Sequence, residues 1–140
     1  MTKDDLIKGL NEDLAGELGT VIRYTFQSSY SFGVMGLELR EMFQRETADE
    51  IGHARYLSDM VVDLGGKPTT IPKKFDEATS LKEMLEVDEK MELADVKAYA
   101  EHASWAEELG YIDIKLHLEE MAADEAGHAR EIRRILKGLK

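Results

Sequence analysis

The chain has 140 residues and a mass of 15.8 kDa, a common size for one compact domain. Hydrophobic residues make up 43% and charged residues 34%, which excludes a disordered chain, and no uncharged run is long enough to span a membrane. The formal net charge of −11 is the wrong sign for nucleic-acid binding, and the absence of cysteine excludes disulfides and thiolate metal sites. Charged residues within the first ten positions argue against a signal peptide, so we expect a cytoplasmic protein without nucleic-acid or membrane partners.

Four amphipathic helices are predicted in chain order, and no segment has the pattern of a strand. Thr2 can cap the first helix, and Ser80 with Glu83 forms a capping box at the start of the third. Glycines interrupt the pattern after the first and third helices, and Gly65-Gly66 before Pro68 ends the second. The predicted helices cover residues 3–31, 37–64, 81–109 and 111–137.

The connections between these helices predict how they pack. Each helix of roughly 27 residues would be roughly 40 Å long, so the four bury their apolar faces best by lying side by side. The short first and third connections make antiparallel hairpins, while residues 65–79 are long enough to cross the full height of the bundle. We therefore expect an all-α, antiparallel four-helix bundle with one long crossover, forming a single domain over residues 1–140.

Acidic and imidazole side chains interrupt each predicted apolar face near its middle. The first and third helices each carry one glutamate there, and the second and fourth each carry a Glu-x-x-His pair. Steps of three and four residues keep these groups on the core-facing side, and the turns place the two halves of each hairpin at the same height. A shift of 75 residues superposes the two hairpins, so the pattern is an internal repeat. The six residues are Glu17, Glu50, His53, Glu92, Glu125 and His128.

Four buried carboxylates require neutralisation, because each unpaired charge in a core costs several kcal/mol. Two divalent cations would balance the four glutamates, with one neutral imidazole for each ion. Oxygen-rich ligands with a single imidazole suit iron or manganese. A lone Glu-x-x-His pair is usually a solvated surface feature, but two pairs at a common offset, with two further core-facing glutamates, favour a two-metal site.

With these residues in view, nearly the whole chain resembles the bacterioferritin branch of the ferritin-like superfamily. The resemblance implies that the six residues are the ligands of a ferroxidase centre with two iron ions per chain, for which manganese or zinc could substitute. Glu50 and Glu125 would bridge the ions, and Glu17 and Glu92 would each bind one. The similar segments are Leu10-Asn11-Glu12 leading to Glu17-Leu18 and Tyr24, Glu46 with Asp49-Glu50-Ile51-Gly52-His53-Ala54, Glu83-Met84-Leu85-Glu86-Val87-Asp88 leading to Glu92, and Asp124-Glu125-Ala126-Gly127-His128.

Two departures from this family limit what the resemblance implies. Haem-binding bacterioferritins have a methionine directly after the second-helix glutamate, and this chain has Ile51 there, so we expect no haem. The family also has a fifth short helix at the fourfold axis of its cage, for which the twelve residues after His128 leave no room. We therefore expect no fifth helix, and a homo-oligomer that is a dimer or larger, with a smaller assembly or an altered cage as the alternatives to a 24-subunit shell.

Other polar residues on these helices have weaker assignments. The resemblance implies that Asp49 and Asp124 each hold the histidine of the opposite hairpin by its outer N–H. Tyr24 is core packing by default or, if functional, a hydrogen-bond donor to bound oxygen or a one-electron donor. Rubrerythrin-like peroxidases carry an additional carboxylate on the third helix, so Glu89 or Asp95 is a candidate seventh ligand, although solvent exposure is the default for both.

Two repeat-related glycines and two further histidines complete the set of candidates. Gly52 and Gly127 stand in helix interiors, where glycine is unfavourable, so we expect either close helix approach or a path for iron beside the ligands. His102 and His117 are assigned to the surface or to hydrogen bonds of the helices, and not to metal.

The function that these observations favour is oxidation of Fe(II) by dioxygen or hydrogen peroxide, for iron storage or detoxification. One alternative is a rubrerythrin-like di-iron peroxidase, which would need a separate protein as electron donor because this chain has no cysteine. Another is a metal-binding bundle without turnover. The response to Fe(II) in air distinguishes the three.

Overall fold

A computed structural model describes residues 1–139 and contains four long helices. Their bounds are α1 (Lys3–Ser29), α2 (Gly33–Asp63), α3 (Leu81–Glu108) and α4 (Ile112–Gly138). α1 pairs with α2 and α3 pairs with α4 as antiparallel hairpins, and α1 packs against α3 to join them. No strand occurs within residues 1–139. The predicted antiparallel four-helix bundle is confirmed.

The helix starts follow from local hydrogen bonding. The Thr2 side chain accepts a bond from the Asp5 backbone N–H at 3.3 Å, and the Asp5 carboxylate accepts the Thr2 N–H at 2.7 Å. These reciprocal bonds form a capping box at α1. At α3 the Ser80 hydroxyl accepts the Glu83 N–H at 3.3 Å, which is the one half of the predicted capping box that the described residues form.

The start of α2 differs from the prediction by four residues, since the helix begins at Gly33 and not at residue 37. Gly33 has a φ of +73°, a left-handed conformation that glycine adopts without a steric penalty. A Cβ atom on Gly36 would overlap the backbone of Ser31. The two glycines therefore let the chain reverse tightly and enter α2, where the sequence pattern had indicated a longer break.

The crossover between α2 and α3 lies along α1. The Asn11 side chain donates to the Lys67 carbonyl at 3.0 Å and accepts the Thr69 N–H at 2.9 Å. Further along, the Lys73 N–H donates to the Ala15 carbonyl at 2.8 Å. A Cβ on Gly19 would overlap the Lys73 backbone, which explains a glycine in the interior of α1. These contacts hold the crossover against α1.

Two apolar clusters fill the bundle on either side of a layer of buried polar and charged side chains, which we call the polar layer. The first cluster is built from all four helices around Leu10, Leu57 and Leu118, and the second surrounds Tyr24 and Phe43. Among residues 1–139, none of the helices has an apolar stretch of the length and hydropathy that a bilayer crossing requires. The polar layer between the two clusters is thus shielded from water at both ends, which strengthens the electrostatic interactions inside it.

Candidate metal centre

The structure brings the six predicted side chains together in the polar layer. Each of the four helices contributes at the same height, with the two Glu-x-x-His pairs on α2 and α4. All four glutamates are 0% exposed, and the two histidines are 6% and 8% exposed. The layer is therefore a buried cluster of ionisable groups. Its members are Glu17 on α1, Glu50 and His53 on α2, Glu92 on α3, and Glu125 and His128 on α4.

The side chains around His53 form one compact group. The His53 Nδ1 atom lies 3.2 Å from Glu125 Oε1, 3.4 Å from Glu17 Oε2 and 3.8 Å from Glu50 Oε1. One donor atom from each of these four residues lies within 4.8 Å of all the others. A single cation could contact all four, and we call this group the His53 position.

The side chains around His128 form a second group with two shared members. The His128 Nδ1 atom lies 3.5 Å from Glu50 Oε1, 3.8 Å from Glu125 Oε2 and 3.9 Å from Glu92 Oε2. We call this group the His128 position. Glu50 and Glu125 contact both histidines, so the two carboxylates lie where a pair of bridging ligands would lie.

Each histidine is held from outside by an aspartate of the other hairpin. The His53 Nε2 atom lies 3.0 Å from Asp124 Oδ2, and the His128 Nε2 atom lies 3.1 Å from Asp49 Oδ2. A proton on Nε2 would be donated to the aspartate, which leaves the Nδ1 lone pair facing the cluster. This is the arrangement by which carboxylates orient metal-binding imidazoles.

Two tyrosines donate hydrogen bonds to Glu17 and Glu92, the glutamates that α1 and α3 contribute to the cluster. Tyr24 of α1 donates to Glu92 of α3, and Tyr99 of α3 donates to Glu17 of α1. Burial raises the pKa of both phenols well above the ordinary value, so they remain donors at neutral pH. Sequence reasoning singled out Tyr24, but the structure gives Tyr99 the matching contact. The hydroxyl of Tyr24 also lies 3.2 Å from Glu46 Oε1.

The atoms that face the centre of the cluster fit a pair of cations. Buried polar atoms nearly always have a hydrogen-bond partner, and an unpaired one is destabilising. Here eight inward-facing oxygen and nitrogen atoms, all capable of binding a metal, have no hydrogen-bond partner within the described residues. All eight belong to the six predicted side chains. They are Glu17 Oε2, both carboxylate oxygens of Glu50 and of Glu125, Glu92 Oε2, and the Nδ1 atoms of His53 and His128. Four carboxylates and two imidazoles would satisfy two divalent ions in both charge and ligand number.

Proximity and burial shift the proton affinities of these groups when no cation is bound. Burial, together with neighbouring carboxylates, raises the pKa of Glu50 and of Glu92. Burial lowers the pKa of His53, but the nearby carboxylates of Glu125 and Glu17 outweigh it and raise the pKa to about 10. For His128, the nearby carboxylates of Glu125 and Glu92 likewise outweigh burial and raise the pKa to about 12. Protons thus compete with cations for the cluster.

Glu46 is a buried carboxylate of this layer to which sequence reasoning assigned no role. It is 1% exposed, and its Oε1 atom lies 3.8 Å from His128 Nδ1. Burial raises the pKa of Glu46 to about 8. Its position one helical turn before Glu50 was the available signal, because residues four apart share a face of a helix.

Arg23 and His102 form buried ion pairs next to the cluster, and their partners were not predicted. The Arg23 guanidinium is 0% exposed, with Nε 2.9 Å from Asp88 Oδ1 and Nη2 3.3 Å from Glu92 Oε1. His102 Nδ1 lies 2.6 Å from Asp13 Oδ2. Of the two predicted roles of His102, the hydrogen-bonded one is confirmed and the surface one is wrong, because the side chain is buried between α1 and α3.

Of the two candidate seventh ligands, Glu89 and Asp95, one lies outside the cluster and the other lies beside it. Glu89 is ion-paired with Arg133 at 3.0 Å, outside the cluster. Asp95 is only partly exposed, and one of its oxygens lies within 4.8 Å of donor atoms of Glu92 and Glu125. Burial raises the pKa of Asp95 to about 8. Asp95 is therefore the one of these two residues that the fold places beside the cluster.

The repeat-related glycines are not sites of close helix packing. A Cβ atom at Gly52 or at Gly127 would meet no other atom within 4 Å among the described residues, so the first of the two expectations is wrong. Both glycines are exposed on helix positions next to the histidines. The alternative, a path beside the ligands, stays a prediction.

Comparisons with known proteins show what the sequence and the fold of this chain are similar to. A family model described as a ferritin-like domain matches residues 7–140. Bacterioferritin from Brucella melitensis is 30% identical over 128 residues, which cover 88% of this chain and 77% of the relative. The solved structure of a ferritin-like, diiron-carboxylate protein from Bacillus anthracis str. Ames is 38% identical, with a TM-score of 0.94 over 97% of this chain and 99% of that chain. A Rhodobacter capsulatus bacterioferritin, described with a metal-free dinuclear site and haem iron, is 26% identical, with a TM-score of 0.82 over 96% of this chain and 84% of that chain.

Proposed function

The chain belongs to the ferritin-like domain family, and on that premise we propose that it is a di-iron carboxylate protein that oxidises Fe(II) with dioxygen or hydrogen peroxide. The oxidised iron would be stored or made harmless. The observation that carries the proposal is the set of buried, inward-facing oxygens and nitrogens that have no hydrogen-bond partner among residues 1–139. The proposal assigns one di-iron domain to residues 1–140, of which Lys140 lies outside the described residues.

The contacts of the cluster support a division of roles. Glu50 and Glu125 would hold both ions, while Glu17 with His53 and Glu92 with His128 would each hold one. Asp124 and Asp49 would keep the imidazoles oriented, as their contacts with the outer nitrogens indicate. Manganese or zinc could occupy the same donors, and the proposal includes no haem because Ile51 offers no ligand atom.

Iron supplies the redox chemistry, and the protein supplies geometry, charge balance and proton control. Oxidation of two Fe(II) ions as substrate would release two electrons, and with two protons these electrons would reduce dioxygen to hydrogen peroxide or hydrogen peroxide to two waters. The Tyr24 and Tyr99 hydroxyls hold the terminal glutamates, and the apolar clusters on both sides restrict access of water. Protons released from the cluster when metal binds are available to the reduced oxidant.

Adding Fe(II) in air to the metal-free protein tests this function. We expect rapid growth of near-ultraviolet ferric absorbance that saturates at about two irons per chain, because the donor set accommodates two ions. Protein first loaded with Zn(II), which has no redox chemistry, is the control and should not react at this rate. Tight binding of iron without a change in absorbance would contradict the proposal and favour a metal-binding bundle without turnover.

A peroxidase of the rubrerythrin type is the second candidate, and the position of Asp95 favours it. The carboxylate of Asp95 lies beside Glu92 and Glu125, where a further ligand would have to stand. The same Fe(II) experiment separates the two functions when it is run with dioxygen and with hydrogen peroxide under otherwise equal conditions. A much faster reaction with peroxide supports the peroxidase.

We also propose that the protein is a homo-oligomer that uses the outer face of α1 and α2. A groove there is lined by apolar side chains of both helices and by Pro72 of the crossover, and its Ile22 and Ile51 side chains are 48% and 42% exposed. Apolar surface of this kind on a folded protein commonly marks a contact with another chain.

Ile51→Glu is expected to shift the protein to a smaller species, because a charge would be buried in the contact. Light scattering coupled to size exclusion measures the change. Leu116→Glu, at a residue 53% exposed on α4 and outside the groove, is the matched control and should leave the mass unchanged. An unchanged mass for Ile51→Glu would rule out this face as the contact.

A further inference from the structure

The internal repeat allows the surroundings of the two metal positions to be compared residue by residue. The six predicted ligands, the two tyrosines that donate to Glu17 and Glu92, and the two aspartates that hold the histidines all have a counterpart of the same type 75 positions away. Three other polar residues, each buried or partly buried beside Glu92 or His128, have a counterpart of a different type. They are Arg23, Glu46 and Asp95, whose counterparts are Ala98, Met121 and Thr20.

Arg23 is the one of these that donates to a proposed metal ligand. Its Nη2 atom lies 3.3 Å from Glu92 Oε1, the oxygen that also accepts the Tyr24 hydroxyl. The guanidinium is fixed on its other edges by Asp88 Oδ1 at 2.9 Å and by Met91 Sδ at 2.8 Å. Glu92 therefore carries a charge-assisted hydrogen bond on one oxygen.

The counterpart of Glu92 lacks this contact. Glu17 accepts the hydroxyl of Tyr99 on Oε1, and residue 98 is an alanine, which has no donor to offer. A cationic donor on a carboxylate withdraws charge from it and repels a cation bound to its other oxygen. Glu46, whose Oε2 atom has no partner within the described residues, offers the His128 position one more oxygen and acts in the opposite direction.

The two positions also differ in how far their donors are already assembled. At the His53 position, one donor atom from each of the four residues lies within 4.8 Å of the others. At the His128 position, the group that meets this distance is Glu46, Glu92 and His128, without the two shared glutamates. The His53 position thus needs less rearrangement to enclose an ion.

We propose that Arg23 makes the two metal positions unequal, so that the His53 position fills first and the His128 position binds its ion more weakly and exchanges it first. The inference rests on the proposed di-iron function and adds an order of filling to it. Arg23 acts here as a positioning residue, through its hydrogen bond to Glu92, and touches neither ion.

Anaerobic titration of metal-free protein with Co(II) tests the order, because the visible absorption of Co(II) and the heat of binding report each step without redox chemistry. The natural sequence is expected to bind in two steps whose dissociation constants differ by at least about tenfold. Arg23→Met is expected to tighten the second step by about tenfold and leave the first within about twofold. Arg23→Lys keeps the charge and should keep most of the gap.

Two further variants guard against a purely structural effect. Arg23→Met leaves Asp88 buried without its partner, so Arg23→Met/Asp88→Asn is titrated beside it, with thermal unfolding to confirm that both are folded. His102→Gln is the matched control, since it breaks the buried pair with Asp13 and installs the residue found at its counterpart, Gln27. It should change neither step.

The outcomes are distinguishable. Two equal steps in the natural sequence, or an unchanged gap in both folded Arg23 variants, would overturn the inequality while leaving the di-iron proposal in place. Failure of the natural sequence to bind Co(II) at two sites would instead remove the proposed function, and the order of filling with it.

Discussion

Replacing Glu50 with alanine is expected to abolish rapid oxidation of Fe(II), with a rate at least about 100-fold below that of the natural sequence. The Glu50 Oε1 atom lies 3.8 Å from Nδ1 of His53 and 3.5 Å from Nδ1 of His128, so one carboxylate serves both positions. Removing it takes away a ligand from each ion at once. Stopped-flow absorbance after mixing with Fe(II) and dioxygen measures the rate.

Glu41→Ala is the matched control, because Glu41 is an exposed glutamate on the same helix. Its oxidation rate should equal that of the natural sequence. The metal-free Glu50→Ala protein should also unfold at a higher temperature than the natural one, since a buried carboxyl group without a hydrogen-bond partner among the described residues has been removed. Loss of activity with a more stable fold points to the site, whereas undiminished oxidation in Glu50→Ala would contradict the proposed role.

The metal-free protein is expected to lose stability steadily as pH rises from 5 to 9. Burial raises the pKa of Glu46 and of Asp95 to about 8, from 4.5 and 3.8. Between the ordinary and the raised pKa, the folded protein holds a proton that the unfolded chain has released, so folding becomes less favourable as protons grow scarce. Each such proton lowers the free energy of unfolding by about 1.4 kcal/mol per pH unit. Above pH 6.5 the raised pKa of His53 acts in the same direction.

Urea unfolding at pH 5, 7 and 9 with a chelator present measures this slope. Saturation with Mn(II) should reverse its sign, because cations then take the place of the protons and bind better as pH rises. Glu46→Gln should make the free energy of unfolding of the metal-free protein depend less steeply on pH, because the contribution of one titrating proton is removed. A metal-free protein that gains stability toward pH 9 would show that the cluster is not held together by protons when cations are removed.

The sequence by itself determined the helices and the composition of the polar layer. Apolar residues at steps of three and four, with glycines at the turns, are local patterns that can be recognised without knowing which residues are in contact in the folded protein. Glu17 and Glu92, and the pairs that end in His53 and His128, interrupt those patterns at a common offset, so their meeting followed from helix geometry and chain reversal. Their roles as metal ligands remain the proposal that the experiments above test.

Only the tertiary structure decided which other polar residues join that layer. An arginine or aspartate on a helix is usually solvated, and nothing in the spacing of Arg23 and Asp88 distinguishes them from surface residues. Their burial depends on two helices from different hairpins facing each other at that height, as does the pair of Asp13 with His102. A periodic pattern specifies which face of a helix turns inward, but the partner of a single charge is set by the contact between helices, which is a property of the packed bundle.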